Sequence, residues 1–269
     1  MSKNLYMVPY DFTPTSQKAL EYALHVGKLV HTDIKLLHLV SDKKKGMAMK
    51  TKLEELVKST KCPDGVEMTA VVKVGNIFTD IAKIAKEERA QLIIMGTHGI
   101  RGMQRLFGSF AMKVITSADC PFLIVQRNTE IKEVKQIAVP IDLTKESLQI
   151  TKIAGDMARI NGAEVHVLAE KQTDQILNTR LKNRLGLVKQ QYEEEIGIEP
   201  KISLVKKGGS YRKKVMSYSK ENNIDMIALA YHSESLFPQF DNFAQGLITN
   251  KPGLPVLVIN SKLASSLYF

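Results

Sequence analysis

The sequence predicts an α/β protein of two tandem domains, each a five-stranded parallel sheet with helices on both faces. Two observations carry that expectation. Short, continuously apolar runs such as "LYMVP", "QLIIMGT" and "PFLIVQ" alternate with stretches whose apolar residues recur at helical spacing. The same order of segments also occurs twice. "LYMVPYDFTPTSQKAL" near the start is echoed by "QIAVPIDLTKESLQIT" from residue 136, pairing Pro9 with Pro140, Asp11 with Asp142 and Ser16 with Ser147. "KVGNIFTDIAKIAKEERAQLIIMGTHG" is echoed by "KKGGSYRKKVMSYSKENNIDMIALAYHS", and "CPFLIVQ" by "LPVLVIN". Between the halves runs the polar, charged stretch "RNTEIKEVK", which places the domains at residues 1–130 and 131–269.

The first half illustrates the elements in order. A short strand at 5–9 leads to Thr13-Pro14, an N-cap followed by a proline at the first helical position. Ala19, Leu20, Ala23, Leu24 and Gly27 continue that helix to about residue 31. Further strands are expected at 33–40, 66–75, 91–97 and 121–126, with helices at 52–59, 77–90 and 109–118 between them. In the second half, 174–195 reads as an amphipathic helix packed on its sheet. The last strands of the two halves each begin at a proline, as edge strands tolerate, and are expected to run antiparallel against each other, pairing the domains within one chain.

Composition narrows the function. A hydrophobic content of 44% and a charged content of 25% are those of a folded globular chain. The net charge of +10 is spread over both halves, its longest run, Lys43-Lys44-Lys45, stands beside Asp42, and few aromatics interleave with the basic residues. A solvated surface with a general attraction for anions, nucleotide phosphates included, fits this better than a nucleic-acid site. No apolar run reaches the roughly 18–20 residues of a membrane span, and the N-terminus lacks the apolar core of a secretory signal. Cys62 and Cys120 lie far apart without zinc-like spacing, so a reducing, cytoplasmic location is expected.

The stretch "MGTHGIRGMQRLFGSF" (95–110) follows an apolar strand and precedes a helix. Ligands of open parallel sheets bind beyond the strand C-termini, and a helix N-terminus there favours phosphate. Glycines at both ends would let backbone approach a ligand; equally, they could only shape a tight turn and a surface loop. Neither GxxxxGK[ST] nor GxGxxG occurs in the chain. His98 and its twin His232 follow the fourth strand of each half, and without a Cys/His/carboxylate cluster they read as polar loop residues before metal ligands.

"VPYDFTPTSQKAL", "KLLHLV" and "IIMGTHG…GSFAMKVITSADCPFLIVQ" together resemble the universal stress protein family, once per half. The resemblance implies Rossmann-like domains of the adenine nucleotide alpha hydrolase-like kind, a stress-response or regulatory role, and binding of ATP, with or without magnesium, where the pattern G-x2-G-x9-G-[S/T] is kept. Carried onto this chain, Asp11 would meet the adenosine part and Leu39 the base. Met95 and Gly96 would pack along the ligand, Gly99 would approach the phosphates, and Gly108, Ser109 and the amide of Phe110 would cradle them. Only eight residues separate Gly99 from Gly108 here, one fewer than the family pattern. In the second half Ala230 and Ser233 replace the first two glycines, and Asp241 and Asn242 stand where Gly108 and Ser109 do. That half is therefore expected to hold no ATP and to serve as a built-in dimer partner, while a homodimer of the whole chain and an unknown protein partner stay open. Two other readings remain: a scaffold or small-ligand binder of the same fold, and a slow ATP hydrolase. No general base, metal-ligand set or catalytic lysine is visible for the latter.

Overall fold

The computed structural model describes residues 4–97, 107–231 and 242–261. The chain forms two compact units, residues 1–131 with 249–253 and residues 132–248 with 254–269.

In the first unit the sheet order is β3-β2-β1-β4-β5, formed by β1 (Leu5–Pro9), β2 (Asp33–Val40), β3 (Met68–Val74), β4 (Leu92–Thr97) and β5 (Phe122–Gln126). Every pairing is parallel, with Pro9 opposite Leu37 and Gly96 opposite Val125. β5 is buried at all five positions and β4 at all but Gly96, which is why these strands read as unbroken apolar runs. Four helices are formed among the described residues of this unit: α1 (Pro14–Val30), α2 (Lys43–Ser59), α3 (Asp80–Glu87) and α4 (Phe107–Ser117).

α1 starts where Thr13 and Pro14 require. The Thr13 side chain accepts from the Ser16 amide, and the helix ends at His31 in the left-handed region. α2 is longer than its sequence suggested. Asp42 caps it through the Lys45 amide at 3.0 Å, so the run Lys43-Lys44-Lys45 forms its first turn instead of a loop. Leu53 alone among its residues is buried, so a nine-residue extension carried no apolar period to betray it.

The second unit repeats the order as β8-β7-β6-β9-β10: β6 (Gln136–Ile141), β7 (Glu164–Glu170), β8 (Lys201–Val205), β9 (Met226–Tyr231) and β10 (Val256–Asn260), all parallel. Its helices are α5 (Ile150–Asn161), α6 (Gln175–Gln190), α7 (Tyr211–Glu221) and α8 (Asn242–Ile248). α6 ends in a π-helical turn, Gln191–Ile196, which swings Tyr192 and Ile196 onto α5 at Gly155. No helix among the described residues is long and apolar enough to cross a membrane.

Candidate functional site

In the first unit the chain leaves β1 toward α1 and β2 on one side, while β4 and β5 lie on the other. The strand ends separate at this switch in strand order and leave a crevice between the loops that follow them. A cleft of about 220 Å³ occupies it. The end of β1 supplies Pro9, Tyr10 and Asp11, β2 supplies Leu37, His38 and Leu39, and β4 supplies Met95, Gly96 and Thr97. Ile77, Phe78 and Ile81 close one side, and Ala111 and Val114 of α4 close another.

Each wall has a local cause. Asp11 stands in a capping unit: its carboxylate accepts from the Thr13 hydroxyl at 2.6 Å and the Thr13 amide at 3.1 Å, and its own amide donates to Ser16 Oγ at 3.3 Å. Burial pushes the carboxyl up, but the bonds from Thr13 and Ser16 outweigh it and hold Asp11 below the usual carboxylate range. Phe12 takes a left-handed backbone, φ 63°, and its ring meets Tyr10 and His38 edge-on, with Lys52 of α2 4.3 Å over its face. His38 Nδ1 lies 2.7 Å from the Tyr10 carbonyl oxygen. On the far side, Asn76 Oδ1 accepts from the Phe78 amide and Asp80 Oδ2 from the Asn76 amide, which fixes Ile77 and Phe78 against the cleft.

Gly96 has a packing reason to be glycine. A Cβ there would lie 2.1 Å from the Thr15 carbonyl oxygen and 3.1 Å from the Ser16 nitrogen. The absent side chain admits the first turn of α1. Next to it, Thr97 is 5% exposed and its hydroxyl has no hydrogen-bond partner among the described residues.

Of the residues singled out from sequence, Asp11, Leu39, Met95 and Gly96 come together in this cleft. Gly108, Ser109 and Phe110 lie in the first turn of α4, whose later residues Ala111 and Val114 line the cleft. Gly99 and His98 fall outside the described residues, as do His232, Ser233 and Asp241. Sequence reading missed His38, Thr97 and the Ile77–Phe78 wall. One signal pointed to the last: a glycine-containing turn precedes the third helix in both halves.

The second unit keeps the capping unit. Asp142 accepts from the Thr144 amide and hydroxyl, as Asp11 does from Thr13. Sheet register puts Ala230 at the place of Gly96 and Tyr231 at that of Thr97. With a Cβ at that point, the turn after β6 is 3-10 (Glu146–Leu148) and α5 begins only at Ile150. Tyr231 is fully buried. Tyr211, at the start of α7, lies across the strand ends, its hydroxyl 2.7 Å from the Leu168 carbonyl oxygen and 3.2 Å from that of Ile141. Arg184 donates to the carbonyls of Asp142 and Thr144.

Among the described residues no group of three or more His, Cys, Asp or Glu could hold a metal ion. Burial pushes the Cys120 thiol up to about 12, far from thiolate chemistry at neutral pH.

A sequence model described as the universal stress protein family matches residues 6–126 and again residues 133–260. The chain belongs to the universal stress protein family. It is a tandem two-domain member with a Rossmann-like α/β fold. The universal stress protein YxiE of Bacillus subtilis is 27% identical over 150 residues, covering 46% of this chain and 99% of that protein. A universal stress protein from Archaeoglobus fulgidus superimposes with a TM-score of 0.79 at 20% identity, covering 97% of this chain and 100% of that one. Another from Archaeoglobus fulgidus, solved in complex with dAMP, matches 48% of this chain and 100% of its own at 18% identity, with a TM-score of 0.39.

Proposed function

We propose that the first unit binds an adenine nucleotide, with ATP as the ligand, and that the protein acts in the cytoplasm as a regulatory, stress-response binding protein. The open cleft at the switch in strand order carries the reading. Its walls are mostly apolar, as a flat base requires, with Asp11 after β1 and Thr97 at the end of β4 among its polar groups. Leu37 and Leu39 flank the base, Met95 and Gly96 run along the ligand, and the ionised Asp11 accepts from ribose hydroxyls. The unpartnered Thr97 hydroxyl supplies a further polar contact at the β4 end. The phosphates lie at the start of α4, where the amides of Gly108, Ser109 and Phe110 face them with the favourable end of the helix dipole. Gly99 completes the cradle. Magnesium, where it accompanies ATP, is held by the phosphates and water in this reading. The second unit binds no ATP and serves as the built-in partner of the first; the domains run 1–130 and 131–269.

The test is direct. Protein purified from cells is denatured and its supernatant run on anion exchange, and ATP binding is measured by calorimetry on nucleotide-free protein. One adenine nucleotide per chain is expected, and Gly108→Asp, which copies the residue at the matching place in the second half, is expected to lose it. Equal binding by that variant overturns the cradle. No binding of any adenine nucleotide leaves the small-ligand or scaffold reading of the fold. Conversion of bound ATP to ADP within hours in magnesium would establish the hydrolase instead.

A further inference from the structure

A tyrosine ring lies across the ends of two strands in the second unit. Tyr211 reaches across the ends of β6 and β7, and its single hydroxyl proton is shared between the carbonyl oxygens of Leu168 and Ile141. Its ring stacks on Phe243 of α8, with centroids 5.3 Å apart and planes 4° from parallel. The Arg212 side chain lies over Gly246 on the same helix, so close that a Cβ there would meet it at 2.3 Å. Register makes the Leu168 and Ile141 carbonyls the counterparts of those of Leu37 and Tyr10, which edge the open cleft of the first unit. Matching helix turns put Tyr211 at the place of Ile77, whose shorter side chain lines the side of the open cleft in the first unit, while there the Tyr10 carbonyl is met by His38 Nδ1.

How Tyr211 is mounted matters as much as where it rests. Gly208 and Gly209 precede Ser210, the residue that caps this helix, with φ of 97° and 74°, a conformation that L side chains rarely adopt, and nothing stands within 4 Å of either missing Cβ. On the other side of Tyr211, Lys214 joins the Glu170 carboxylate and the Lys206 carbonyl, tying the base of α7 to the end of β7. The ring is thus carried on a helix capped by Ser210, one residue past a glycine pair, with the Lys214–Glu170 ion pair beside it.

We propose that Tyr211 is a built-in occupant of a second binding site, one that accepts a planar aromatic molecule with a hydroxyl or amine donor on its edge. Such a molecule stacks on Phe243 and donates to the same two carbonyls once Tyr211 swings out on Gly208 and Gly209. An apolar ring without a donor leaves those carbonyls unpaired and binds worse.

The probe is p-cresol, the tyrosine side chain as a free molecule, with toluene as the ring that lacks the donor. The full chain is compared with Tyr211→Ala by thermal unfolding. Because the first unit is unchanged in the variant, the quantity read is the shift in excess of wild type. At ten times its dissociation constant, p-cresol is expected to raise the variant's Tm by about 3–6 °C more than that of wild type. Toluene is expected to give less than half that excess. Equal shifts in variant and wild type, or equal excess with both rings, overturn the proposal. If Tyr211→Ala does not fold alone, p-cresol in the refolding buffer is expected to restore its far-ultraviolet circular dichroism where toluene does not. Failure of that rescue, with Tyr211→Phe folding normally, overturns it as well.

Discussion

The backbone of Gly96 lies so close to that of Thr15 that a Cβ on the glycine would come within 2.1 Å of the threonine carbonyl oxygen. Gly96→Ala is therefore expected to push the first turn of α1 outward. Forced overpacking of this kind costs about 1–3 kcal/mol. Urea unfolding should report that loss together with weaker ligand binding. The reverse change in the second unit, Ala230→Gly, should cost only the glycine entropy of about 0.5–1 kcal/mol, and its 3-10 turn is already accommodated.

Asp11 and Asp142 form a natural control pair, since both brace the turn after the first strand of their unit. Asp11→Asn is expected to weaken adenine-nucleotide binding by about tenfold, which is about 1.4 kcal/mol, while Asp142→Asn leaves binding unchanged. Calorimetry on both variants checks this.

Asp11 also sets an acid limit. Its folded carboxyl lies below the ordinary value of 3.8, so its contribution is present above that value and is lost as pH falls through the lower folded pKa. The difference in urea midpoint between wild type and Asp11→Asn should hold from pH 7 to about pH 5 and disappear in the strongly acid range.

His166 acts at higher pH with the opposite chemistry. It is 2% exposed on β7, between Tyr218 and Gln136, and burial, followed by the charge of Lys201, pulls its pKa below 6.5. The unfolded chain takes up the proton first, so stability conferred by the neutral ring is complete above pH 6.5 and falls as pH drops below it. The urea midpoint of wild type is expected to decline between pH 6.5 and 5, and His166→Asn should flatten that slope. An equal slope in the variant would count against His166 as the titrating group.

Tyr192 offers a gain. Its side chain is fully buried in the π-helical turn and its hydroxyl has no hydrogen-bond partner among the described residues. Tyr192→Phe removes a desolvated polar atom at no cost in packing and is expected to leave stability unchanged or raise it by about 1 kcal/mol, read from the urea midpoint.

What the sequence made legible is what local pattern encodes. β1, β2, β4 and β5 were readable to within a residue because their apolar runs are bounded by caps and prolines. The Lys43–Ser59 helix was half lost because an exposed helix has no apolar period. Asp11, Leu39, Met95 and Gly96 were named through the family resemblance, and they line one cleft because each lies at or near a strand end at the same edge of a parallel sheet. Tyr211 was not legible, since its partners lie 43 and 70 residues away along the chain. Nor does any spacing rule reveal that the first turn of α1 needs the missing Cβ of Gly96.

The stacked pair of Tyr211 and Phe243 sets the two halves of the chain apart in how a dissolved ligand would act on them. Mass action lets a dissolved ligand stabilise only a fold with a vacancy for it. The first unit has an open cleft and the second supplies its own ring. A solute that enters the open cleft would stiffen the first half directly, whereas one that binds the second half must first displace Tyr211. The two halves of one chain would then answer to different solute levels.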